Sequence, residues 1–229
     1  MSTYQIEGNK YASVTTIISD CTDKSGALTQ WAANSTVLWL REHSQTDPTG
    51  LIRMVSDEDL EAARFNFRDI SKDALDIGSE VHEAIQTYLK TGKEPQDPID
   101  EVLSAFIAFL EFKDEHDMQT EKTEFTVYDS QLKWAGTLDW IGMFDGKRTV
   151  LDWKTNKGKI YKESHYQIAA YRSADPWVES CGCVRIDKES GYADYKCTDK
   201  SYLDDLNVFQ KMCALYYARH PRIRKGAGL

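Results

Sequence analysis

The spacing of apolar and polar positions divides the chain into a first half patterned for helices and a second half patterned for strands. Apolar residues recur at helical spacing over 28–42, with Trp31, Leu38 and Trp39, and again at Leu75, Gly78, His82, Ile85 and Leu89. Ser56 ahead of Asp57, Glu58 and Asp59 predicts a helix start, since a serine oxygen accepts a free first-turn N–H and acids complement the helix dipole. A second start is expected at Ser71, with the His82 helix ending near Thr91-Gly92. Pro98 is expected to open a helix carrying Val102, Leu103, Phe106, Ile107 and Leu110. Asp47-Pro-Thr-Gly50 reads as a turn, and residues 13–19 as a short strand or helix.

Beyond residue 120 the pattern changes to short runs rich in β-branched and aromatic residues, over 120–128, Trp134–Phe144 and 148–154. Asp145-Gly146 between the last two fits a two-residue type I′ turn. With that loop Phe144 faces Lys147, and counting back places Asp139 directly opposite Asp152. Opposite residues share a face with Cβ atoms roughly 4.5–5.5 Å apart. Lys154 lies on that face because strand side chains alternate. A helix over 161–173 follows, then strands over 181–187 and 192–198 around a turn at 188–191, then a helix over Tyr202–Arg219. The order predicts one α/β domain over 1–229, with a helical N-terminal portion to about residue 118 and a core over about 72–219.

Two ionised carboxylates about 5 Å apart repel by roughly 3 kcal/mol at an effective dielectric of about 20. A proton, a cationic side chain or a bound cation has to offset that. The plainest reading is an ion pair to Lys154 with a spare acid. The alternative is a hard divalent ion held by oxygen ligands, which beside a lysine makes a hydrolytic centre. His82 on its apolar stripe reads alone as a core histidine and, beside these acids, as a metal ligand. Gly78, one turn earlier, would let the helix approach the sheet. Gln167 and Tyr171 fall on one face of the 161–173 helix.

In chain order, Gly78-Ser-Glu-Val-His82, Glu124, Gly136-Thr-Leu-Asp139, Asp152-Trp-Lys154 and Gln167-Ile-Ala-Ala-Tyr171 resemble the PD-(D/E)XK nuclease superfamily in its RecB-like exonuclease branch. Ser13-Val-Thr-Thr-Ile17, with Trp31 behind it, is similar to the start of phage-encoded members and of the mitochondrial genome maintenance exonucleases. The resemblance covers roughly residues 78–171, and each motif is weak alone. It implies a restriction-endonuclease-like mixed central sheet flanked by helices. It also implies a divalent-metal-dependent DNA exonuclease, acting on single strands or duplex ends in phage or prophage DNA recombination, repair or processing, with recombination or replication proteins as partners. His82, Asp139, Asp152 and the Trp153 carbonyl would hold Mg²⁺ or Mn²⁺. Lys154 would assist the attacking water or the developing charge, Glu124 (with Glu121 as competitor) would bind a second metal or position water, and Gln167 and Tyr171 would position the substrate backbone. Lys157, Lys159 and Lys162 are the nearby charges expected to meet phosphates. A structure- or sequence-selective endonuclease, or a non-catalytic nucleic-acid-binding module, would fit the same fold. Paired glycosidase carboxylates would leave Lys154 and His82 unexplained.

A net charge of −9 argues against broad coating of duplex DNA but not against a local basic lane. Such a lane is suggested by Lys147, Arg148, Lys154, Lys157, Lys159, Lys162 and Arg172, and by Arg219, Arg222, Arg224 and Lys225 in the tail. Arg64-Phe-Asn-Phe-Arg68 has the interleaving of a base-stacking segment, and equally of a helix half in the core. No apolar run suits a membrane span and no secretory signal is evident, so the expected location is the cytoplasm, that of a bacterial host for a phage enzyme. Five cysteines, an odd number, fit a reducing compartment. Cys21, Cys181, Cys183 and Cys197 have the order but not the spacing of the iron–sulfur ligands in some relatives, and no cluster is expected.

Overall fold

The structure, a computed structural model, describes residues 2–49, 53–156, 158–188 and 190–221. The chain divides into two compact units, one formed by residues 1–22 and 78–229 and the other by residues 23–77. The first begins with a hairpin of β1 (Thr3–Ile6) and β2 (Asn9–Ser13) inside the N-terminal portion expected to be helical. Its turn, Glu7-Gly8, has both residues left-handed at φ 49° and 79°, the requirement of a two-residue hairpin loop. Glycine between the alternating Tyr4-Gln-Ile6 and Lys10-Tyr-Ala12 was the signal in the sequence. Helix α1 (Val14–Cys21) follows directly, with Ser13 Oγ accepting from the Thr16 N–H at 3.0 Å.

The second unit pairs α2 (Ser25–His43) with the first part of α3 (Asp57–Thr91). Between them lies a two-residue ribbon, β3 (Gln45–Thr46) with β4 (Arg53–Met54), around the expected turn, of which Gly50 is outside the described residues. Ser56 caps α3 as expected: its Oγ accepts from the Asp59 N–H, and Asp59 Oδ2 accepts from the Ser56 N–H, both at 3.0 Å. Ser71 caps nothing, because α3 continues through it. No glycine or proline interrupts residues 57–77, so nothing stops the first helix there. Leu75, placed on the His82 stripe by periodicity, is 69% exposed; the buried positions of the later turns are Val81, Ala84 and Ile85.

The first unit is an α/β fold on an open, mixed seven-stranded sheet flanked by helices. After α4 (Asp100–Glu115) come β5 (Met118–Asp129), β6 (Trp134–Phe144) and β7 (Lys147–Lys154). Then follow α5 (Lys162–Ser173), β8 (Ser180–Asp187), β9 (Tyr192–Cys197) and α6 (Tyr202–Arg219). Strand β5 pairs antiparallel along the whole of β6, from Asp129↔Trp134 to Met118↔Phe144. The other edge of β6 is therefore shared. It takes β2, parallel, at Trp134 and Ala135, and β7, antiparallel, from Trp140 to Phe144. The sheet forks between these partners, at Gly136–Asp139 in sequence.

Side-chain alternation gives β7 two faces. Trp153 packs against Phe109 of α4, with ring centres 5.6 Å apart, whereas Asp152 and Lys154 face α5. Leu103 and Ile107 of α4, expected in the core, are exposed. Two overlapping apolar stripes run along this helix, and the one with Phe106, Phe109 and Phe112 is buried because Tyr88, Trp153 and Phe144 offer it aromatic partners. On the other face, α1, α5 and α6 close the core around Ile17, Ile168, Phe209 and Tyr216. No described helix is long and apolar enough to cross a membrane.

Candidate functional site

The β6–β7 turn is the one the sequence predicts. Asp145 and Gly146 stand at φ 47° and 78°, and the register runs from Phe144↔Lys147 back to Trp140↔Leu151. There the ladder stops, one pair short of Asp139 and Asp152. The next rung is made by a side chain: Asp139 Oδ2 accepts the Trp153 N–H at 2.7 Å. This bond sits at the fork, where β6 has no strand partner on that edge, and it fixes one oxygen of Asp139.

The other oxygen, Oδ1, lies 3.6 Å from His82 Nδ1. Glu124 sits across from Asp139 in the β5–β6 register, between Thr123↔Trp140 and Phe125↔Leu138, with φ at 49°. One ligand atom from each of His82, Glu124 and Asp139 lies within 4.8 Å of the others. Burial and the Asp139 charge both push the Glu124 carboxyl above its ordinary range. Burial alone would lower His82, but the nearby Asp139 carboxylate outweighs it and raises the imidazole. Both shifts describe a pocket short of positive charge.

Beside this group lies a braced pair. Asp152, 1% exposed, is raised to about 6, chiefly by burial, with Lys154 opposing. Its Oδ2 is 2.6 Å from Lys154 Nζ, and its Oδ1 accepts Gln167 Nε2 at 3.0 Å. Lys154 Nζ in turn donates to Gln167 Oε1 at 3.0 Å. Burial opposes the charge on Lys154, yet Asp152 and Asp139 outweigh it and hold the ammonium. Gln167 is thus used at both ends, and its Nε2 also reaches Tyr171 Oη at 3.2 Å.

The two motif glycines are positions of close approach. A Cβ on Gly136 would meet Tyr171 Cε1 at 2.5 Å, so Tyr171 can lie along β6 only because residue 136 has no side chain. A Cβ on Gly78 would stand 2.9 Å from Thr155 Oγ1, just beyond Lys154. Gly136 therefore serves a residue of another motif, and Gly78 a residue just outside one.

Other expected positions lie apart. Glu121 is engaged by Arg148, whose Nε and Nη2 reach it at 2.9 Å, so of the two competing acids Glu124 is the one at the site. The Trp153 ring is buried against α4, and the residue reaches the site through its backbone. Lys159 is exposed, its Nζ 5.9 Å from the Tyr161 ring centre. Lys162 Nζ is 2.5 Å from Oδ1 of Asp205, a buried acid of α6, with the lysine side chain half exposed. Lys157, Arg222, Arg224 and Lys225 are outside the described residues. Cys181 and Cys183 are buried in β8, while Cys197 is exposed on β9.

Sequence reasoning missed Thr155, the Trp153 N–H, and Tyr4, whose hydroxyl is 3.1 Å from Thr137 Oγ1 two residues before Asp139. Only Tyr4 had a signal, in the overlooked Gly8 hairpin. No protein-family model matches the sequence, and no curated protein matches it.

Proposed function

We propose that the chain is a divalent-metal-dependent deoxyribonuclease of the RecB-like PD-(D/E)XK type, acting as an exonuclease on a restriction-endonuclease-like core. The observation that carries this reading is the convergence of His82, Glu124 and Asp139 beside a lysine–carboxylate pair braced by Gln167. Two carboxylates and an imidazole, with Asp152 adjoining, suit Mn²⁺ or Mg²⁺: hard oxygens dominate, and one nitrogen is tolerated by manganese. When bound, such an ion supplies Lewis acidity, polarising a phosphoryl oxygen and acidifying water.

The chain's own groups do the rest. Asp139 is held in one orientation by the Trp153 N–H, so its other oxygen is presented towards His82 without a search over rotamers. Asp152 and Asp139 favour the ammonium form of Lys154, which suits it to donate to water or to the charge developing on phosphate. Gln167 fixes that ammonium, and Tyr171 and Gly136 fix Gln167. Glu124, raised by burial and by Asp139, stands ready for a cation or a proton.

Digestion of 5′- and 3′-labelled single- and double-stranded DNA with Mg²⁺, Mn²⁺ or EDTA tests activity, polarity and metal dependence together. End-dependent cleavage abolished by EDTA is expected, with closed circular DNA resistant. Lys154→Ala should lower the rate by about 100-fold or more while circular dichroism stays native. An unchanged rate in that variant would sink the assignment.

A further inference from the structure

The acid cluster leaves one built surface of the helical unit unused. Trp31 of α2 and Phe67 of α3 meet edge to face, their ring centres 6.3 Å apart. With Leu28 they line an open groove of about 430 Å³. Trp31 is 38% exposed, a large flat surface left to water in a small helix pair.

A ridge of cations runs beside these rings. Arg64, Arg68 and Lys72 follow at i, i+4 and i+8 on one face of α3. Arg68 and Lys72 line the groove itself, together with Asp76. The Arg68 guanidinium lies 4.8 Å from the Phe65 ring centre and 5.7 Å from that of Phe67. Glu61 shares this face and pairs with Arg64 at 3.5 Å, an exposed contact worth little in water. Asp69 and Asp73 each follow a cation by one residue, about 100° around the helix, and so fall to the other side of the ridge.

We infer that this groove binds unpaired bases of a single-stranded nucleic acid, with Trp31 and Phe67 as stacking surfaces and Arg64, Arg68 and Lys72 meeting the backbone. Flat π surfaces bordered by cations are the chemistry of sequence-tolerant strand binding. Duplex bases are stacked within the helix and offer no face to such a groove. An apolar partner helix would cover the rings but set the two cations that line the groove, Arg68 and Lys72, against a surface with nothing to neutralise them. The inference concerns binding alone and does not depend on cleavage.

The test uses the full chain in EDTA and two labelled probes, an oligothymidylate and an abasic phosphodiester strand of equal length, with affinities read by fluorescence anisotropy. Wild-type protein should prefer the strand that carries bases. Trp31→Leu keeps apolar volume but removes the flat ring, and should weaken oligothymidylate binding by about 5- to 150-fold. Abasic affinity should hold. Lys72→Ala should weaken both probes alike, and it reports on the ridge even if a Trp31 variant misfolds. Equal loss on both probes in Trp31→Leu, no loss on either, or no strand binding by the wild type would overturn the inference. So would a wild-type dimer that Trp31→Leu converts to monomer, which would assign the groove to a second copy. Lys154→Ala cleavage bears only on the metal site, so the two readings fail separately.

Discussion

Glu124 holds a backbone conformation that suits glycine far better than glutamate, at φ 49° in the middle of β5. A non-glycine residue there costs on the order of 1–2 kcal/mol, and such positions survive where the surroundings over-determine them. The surroundings here are Asp139 across the register and His82 beside it, so the strain presents a carboxylate where it is already repelled. Glu124→Gly relieves both the strain and the repulsion. It should raise the melting temperature of the metal-free protein by a few degrees while sharply lowering Mn²⁺ affinity in calorimetry. A fall in melting temperature would contradict the strain argument. At this scale the sequence was legible wherever a side chain builds the cluster: Asp139, Asp152, Lys154, Gln167 and Tyr171 declare themselves by type and spacing. The Trp153 N–H, which holds Asp139, was not legible, because every residue but proline has one.

Among elements, β5, β7 and the turn after α5 are tied through one guanidinium. The irregularity between Thr120 and Lys122 in β5 falls at Glu121, which Arg148 grips at 2.9 Å, while Arg148 Nη1 reaches Asp175 at 2.7 Å. The Arg148 hydrogen bond holds the Glu121 carboxyl below its ordinary range. For Asp175 burial works upward, and the same guanidinium outweighs it. Depressed carboxylates stabilise the fold above their unfolded pKa values and lose that contribution as pH falls through their folded ones. Arg148→Met should therefore lower the melting temperature at neutral pH, and its deficit against wild type should shrink below about pH 4. Both acids are partly exposed, so the contribution is about 1 kcal/mol or less. A deficit constant with pH would show that packing of the arginine stem, not its charge, matters. Strand limits from β5 onward were readable from β-branched and aromatic runs, and the limits of α5 and α6 were readable too. The start of the His82 helix was not: nothing between Ser56 and Gly78 punctuates α3, so a good cap at Ser71 was read where the helix simply continues.

Over the whole molecule the formal charge of −9 sets how nucleic acid can approach. An acidic body repels a polyanion at long range, so binding must rest on local cations and on stacking. With Arg64, Arg68 and Lys72 as backbone contacts, the logarithm of single-strand affinity should fall with the logarithm of salt at a slope of about −2. A slope of about −5 or steeper would point to a broader basic surface. Charge was legible from composition, whereas the alignment of Arg64, Arg68 and Lys72 on one face of α3 emerged only with the helix. The forked sheet was equally hidden, since β2 and β6 are joined over a long stretch of chain and no local pattern announces their parallel pairing.

That fork also gives the protein an internal gauge. The Trp153 amide proton rests on a carboxylate oxygen instead of a neighbouring strand's carbonyl. Its exchange with solvent deuterium and its nitrogen-15 resonance should therefore follow what happens to Asp139, with no label placed in the site. One backbone signal would then read out ligand uptake, separately from the melting of the sheet around it.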